Sequence, residues 1–104
     1  MVLRKRAERR AAERAAAKLA EQRQKLFFAS DGGSPDHPIV VESASLVEPR
    51  ALSQPCPRCE GALRLVSHDA VTHKSASLRA ARTRCSQCAS PWTVWFRIER
   101  ALPN

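Results

Sequence analysis

The 104-residue chain has no tyrosine, and aromatics make up only 5% of it. Glycine occurs three times and methionine once. So few large apolar side chains cannot fill a conventional core of this length, which leaves room for one small domain and an appendage. Long apolar runs are also missing. Nothing approaches the roughly 18 consecutive apolar residues of a membrane span, and no apolar h-region follows the charged start. Residues 1–29 lack serine and carry Glu8, Glu13 and Glu21, which argues against a mitochondrial transit peptide. The expected location is a reducing cytoplasm, with no membrane partner.

What is abundant is positive charge. Eighteen Lys and Arg face ten Asp and Glu, a formal net charge of +8. It is concentrated at the start. Residues 1–26 hold nine bases, Arg4, Lys5, Arg6, Arg9, Arg10, Arg14, Lys18, Arg23 and Lys25, against three Glu. Such an excess favours polyanionic partners and says nothing about fold.

Three segments follow from composition. Residues 1–28 contain neither Gly nor Pro and are rich in Ala, Arg, Glu, Gln, Lys and Leu, the strongest helix formers. A stripe of Leu3, Ala7, Ala11, Ala15 and Leu19 has helical spacing but little bulk, so a basic helical arm is expected that buries almost nothing. Residues 29–54 begin with the breaker cluster Asp31-Gly32-Gly33-Ser34-Pro35 and read as a linker, with Ile39-Val40-Val41 as one short strand at most. Residues 55–100 read as the folded domain. Leu63 to Val66 and Leu78 to Arg84 suggest two strands. Trp92, Val94, Phe96 and Ile98 alternate along a third, whose opposite face carries Trp95 and Arg97. The expected fold class is small α+β: a basic N-terminal helix, a linker and a three-stranded antiparallel sheet.

The chemistry lies in Cys56-Pro57-Arg58-Cys59 and Cys85-Ser86-Gln87-Cys88, separated by 25 residues. Two residues between cysteines let one tight turn aim both sulfurs at a single ion, and two such turns complete a tetrahedron of thiolates. Pro57 pre-sets the first turn, and Gly61 supplies a residue that tolerates φ > 0 where the chain folds back. The other reading of these cysteines is a disulfide pair or a redox CxxC. A reducing compartment and the lack of a βαβ pattern favour a metal. A domain of some 45 residues also needs such a staple to fold. The site residues are then Cys56, Cys59, Cys85 and Cys88, holding one Zn(II) per chain.

Residues 55–98 resemble a zinc ribbon, two metal-binding turns on β-hairpins with a short sheet, and the chain is similar to short uncharacterised bacterial zinc-ribbon proteins. The resemblance implies association with nucleic acid, ribonucleoprotein or transcription complexes, or a protein-contact role, but no activity. The acidic pair that does chemistry at the hairpin tip of transcript-cleavage ribbons has no counterpart beside Asp69.

No Ser/His/Asp arrangement, phosphate loop or carboxylate pair is legible, and His37, His68 and His73 read as surface or loop residues. A non-enzymatic protein that takes no small-molecule substrate is therefore expected. Its candidate nucleic-acid contacts are Arg4, Lys5, Arg6, Arg9, Arg10 and Arg14 on the arm and Arg79, Arg82, Arg84 and Trp95 on the sheet. The alternative is a protein-interaction adaptor, with the ribbon as docking head and the helix as partner-binding arm.

Overall fold

The computed structural model describes residues 2–100, with side chains from Leu3 onward. Helix α1 spans Val2–Ala29. Strand β1 is Ile39–Val41, and a 3₁₀ turn at Ala44–Leu46 leads into the short helix α2, Val47–Leu52. Strands β2, β3 and β4 are Leu63–His73, Ala76–Cys85 and Pro91–Ile98. The protein is a small α+β structure, and its sheet has four strands in the order β1-β4-β3-β2.

The expectation of three antiparallel strands needs correction. β1 pairs in parallel with β4, Ile39 beside Phe96 and Val41 beside Ile98, so the sheet is mixed. The added strand covers the β4 edge and brings Ile39 and Val41 into the core, both under 9% exposed. The long spacing between the CxxC units is taken up by the β2–β3 hairpin. It closes through Lys74 and Ser75, both at positive φ (48° and 68°), the two-residue turn that matches strand twist. A bulge at Val66 shifts the register between Leu65 and Ser67.

The sheet has two unlike faces. On one, Ile39, Val41, Ala81, Val94 and Phe96 pack with Val47 and Ala51 of α2. The Thr83 hydroxyl, buried in this layer, donates to the Trp92 carbonyl at 2.9 Å. His68 also lies here, its side chain 13% exposed and its Nδ1 3.3 Å from Glu48 Oε2. That ties β2 to α2 and removes His68 from the surface, where the sequence placed it.

A second cluster sits at the cysteine end: Cys56, Leu63, Cys85 and Trp92. Phe27 packs against both clusters and so anchors the end of α1. Residues 3–19 of α1 are all exposed, as a stripe made mostly of alanine dictates.

The breaker cluster ends α1, and its backbone is then hydrogen-bonded in place. Ser30 Oγ donates to the Leu26 carbonyl at 2.6 Å. Gly33 turns so tightly that a Cβ there would overlap the Phe27 carbonyl, so only glycine fits. The Gly32 carbonyl accepts from the Trp95 amide at 2.9 Å, and the Gly32 amide donates to the His37 carbonyl at 2.6 Å. Asp36 reaches the tip of the β2–β3 hairpin, 2.9 Å from His73 Nε2 and 3.0 Å from Lys74 Nζ. These two partners, His73 first, hold the Asp36 carboxyl below its ordinary 3.8.

Candidate metal centre

The four cysteines meet at one end of the sheet. Their Sγ atoms all lie within 4.8 Å of one another, with Cys56 and Cys88 3.7 Å apart and Cys59 and Cys85 3.3 Å apart. Metal–thiolate bonds of about 2.3 Å in a tetrahedron place the sulfurs about 3.8 Å apart, so the spacing suits an ion of that kind. Cys56 and Cys85 are buried, Cys59 is intermediate and Cys88 is exposed.

The two turns are built alike. The Cys56 carbonyl accepts from the Glu60 amide at 2.8 Å, and the Cys85 carbonyl from the Ala89 amide at 3.1 Å. Likewise the Cys56 amide donates to Gly61 and the Cys85 amide to Ser90, at 2.8 and 2.9 Å. The Arg58 amide points at Cys56 Sγ (3.4 Å), and the Gln87 amide at Cys85 Sγ (3.3 Å). Backbone N–H groups aimed at sulfur favour the thiolate. The residues at positive φ are Glu60 (66°) and Ala89 (63°), each directly after the second cysteine of its pair.

Gly61 therefore serves a different purpose from the one read in the sequence. A Cβ on Gly61 would lie 2.9 Å from Gln87 Cβ and 3.0 Å from Cys85 Sγ. Its bare backbone lets the two turns close on each other. The Ser86 hydroxyl and amide both donate to the Ala62 carbonyl at 2.9 Å and fasten the turns together.

The sulfurs carry conflicting electrostatics. The Ser90 hydroxyl, 2.6 Å from Cys88 Sγ, and then the Ser90 backbone draw Cys88 down to about 6. The Cys88 amide, followed by that of Gln87, also lowers Cys85. At Cys59 the Gly61 amide favours the thiolate, but Cys85, burial, Cys88 and Cys56 together outweigh it and push Cys59 up to about 12. Four thiolates this close repel one another, and a bound cation is what relieves that repulsion. The donor set is all sulfur, closed and without an open position, as suits a structural ion. Ser90 carries no spacing signal, and so was not legible in the sequence.

The remaining candidate residues do not form one surface. Arg4, Lys5, Arg6, Arg9, Arg10 and Arg14 are exposed along α1, with Arg4 3.5 Å from Glu8. Arg82 and Arg84 are exposed on the face of β3 opposite the core, and Trp95 shares that face, half-buried beside Ala80. Arg79 has the other parity. It pairs with Phe96 and lines a hollow with Ala70, Ser77, Leu78 and Ile98.

Among the described residues, no helix is long and apolar enough to cross a membrane. No protein-family model matches the chain, and no curated protein or solved structure is significantly similar to it.

Proposed function

We propose that the chain is a non-catalytic zinc-ribbon protein. One Zn(II) on Cys56, Cys59, Cys85 and Cys88 organises the domain, and the basic arm associates with nucleic acid or a ribonucleoprotein. The observation that carries the nucleic-acid reading is the state of α1. Its bases lie on a helix whose residues 3–19 are exposed throughout, and residues 1–26 carry a net +6. Charge distributed around a free helix suits wrapping or groove contact with a polyanion, since a membrane-surface helix needs bulky apolar residues on one side.

Binding to duplex DNA across a salt series tests this. Five engaged phosphates, about half of the arm's bases, give a log–log slope of roughly −4.5. Replacing Arg9, Arg10 and Arg14 with Gln lowers affinity and slope while keeping helix propensity. No salt-dependent affinity at low ionic strength would refute the reading.

A protein-interaction adaptor is the second reading. Its support is a hollow of about 380 Å³ between α1 and the first cysteine turn, lined by Arg23, Leu26, Phe27, Pro55 and Pro57 among others. Leu26 in its lining is 68% exposed, and Phe28, next along α1, is 55% exposed. Under that reading, alanine at Leu19, Leu26 and Phe28 abolishes partner binding and charge removal does not.

A further inference from the structure

The sheet face opposite the core divides into a closed end and an open end. At the closed end, the segment before β1 runs from Gly32, bonded to Trp95, to Asp36, bonded to His73 and Lys74. Leu78 and Ala80 on that face are buried. The open end lies toward the cysteine turns and presents Arg64, Arg82 and Arg84.

Arg64 and Arg84 are direct cross-strand partners. Like charges set opposite each other on a sheet destabilise it, so the fold gains nothing from the pair. Acids that share or reach this face are paired with bases other than Arg64 and Arg84. Asp69 lies 2.8 Å from Arg82, Glu99 lies 2.6 Å from Arg97, and Asp36 is held by His73 and Lys74. Among the described residues, the Arg84 side chain donates only to the Ala89 carbonyl, at 2.9 Å. Two arginines are thus set opposite each other, and among the described residues neither forms an ion pair with a carboxylate.

Trp95 borders this group. Thr93, the preceding residue of β4 on this face, sits opposite Arg82, and Trp95 sits opposite Ala80. Ala80 is fully buried and the indole half-buried, so part of the ring stays open to solvent.

We propose that this face is a second nucleic-acid contact, specific for single strands, in which Arg64 and Arg84 hold phosphodiester oxygens and Trp95 stacks one base. It rests on the nucleic-acid reading above and adds a surface and a substrate class to it. A base offers its ring face to an indole only when it is unpaired and unstacked, whereas a duplex presents phosphates alone. Guanidinium groups bind phosphate oxygens in a fork geometry, and two in register span adjacent oxygens. α1 then supplies sequence-tolerant charge, and the sheet supplies the discrimination between single strand and duplex.

The test uses the full chain loaded with zinc and fluorescence anisotropy on two labelled probes, a 12-nucleotide oligo-uridine and a 12-base-pair RNA duplex. The double variant Arg64→Gln/Arg84→Gln weakens single-strand binding about tenfold and reduces its salt slope by about 1.4, two phosphates at about 0.7 each. Trp95→Leu costs about tenfold on the single strand, Trp95→Phe recovers most of it, and the duplex is nearly indifferent to both. Thermal midpoints of the arginine variant stay level or rise, because a like-charge pair has been removed. If the sheet variants leave single-strand binding unchanged while Arg9, Arg10 and Arg14 to Gln abolishes binding of both probes, the sheet inference fails and the arm reading stands. If the unaltered chain binds neither probe at low salt, both fail.

Discussion

The Phe27 ring meets the Trp92 indole edge to face, with centroids 5.5 Å apart and planes at 74°. This contact joins the end of the basic helix to the cysteine end of the sheet. Trp92 packs in one cluster with Cys56 and Cys85, and Phe28 adds a second ring 6.0 Å from the indole. Arg23 reinforces the junction 3.4 Å from Glu60, inside the first cysteine turn. Most of α1 is exposed, but its root is fixed to the packing around the four cysteines.

Phe27→Ala should therefore loosen the arm and the core together. A fully buried Phe→Ala costs about 3–5 kcal/mol, and half-burial lowers the expectation to about 2 kcal/mol. Denaturant unfolding measures the loss, and amide exchange at residues 24–29 should accelerate. Leu3→Ala, at a side chain 79% exposed, should change neither.

Gly61→Ala tests how closely the two cysteine turns approach. The added methyl meets Gln87 and Cys85 at about contact-breaking distance, so one turn must give way. Metal affinity should fall by about tenfold, in the range seen when groups supporting metal ligands are altered. Competition with a chromogenic chelator reads it directly. Unchanged affinity would mean that the turns tolerate separation.

Asp36 should control the segment between α1 and β1. Its folded pKa is depressed, so its contribution is present above the ordinary 3.8 and is lost only as pH falls through the lower folded value. The contact therefore persists through the neutral range. At neutral pH, Asp36→Asn should raise amide exchange across residues 33–37, measured by NMR, and leave β3 and β4 protected.

Much of this was legible in sequence because it is local. The CxxC spacing locates the four sulfurs, and the alternation from Trp92 to Ile98 gives β4 its two faces. The features that escaped are long-range or conformational. Three residues, Ile39 to Val41, carry no signal for a parallel partner more than fifty positions away. In the cysteine turns the left-handed residues proved to be Glu60 and Ala89, whose types do not advertise it, while Gly61 is required for close approach. The Phe27–Trp92 contact could not be read from a helix whose apolar stripe is nearly all alanine. The Arg64–Arg84 pairing depends on the register of β2 against β3, which the Val66 bulge shifts by one residue.

The central claim is that four cysteine thiolates hold one structural zinc ion and that the domain depends on it. The most direct measurement is elemental analysis of the purified chain, paired with circular dichroism and thiol titration before and after a strong chelator. The account predicts one zinc per chain, no reactive thiols in the loaded protein, and loss of the sheet as four thiols appear on chelation; Cys59→Ser and Cys85→Ser should mimic the chelated state. A folded, metal-free chain with four titratable thiols would contradict it.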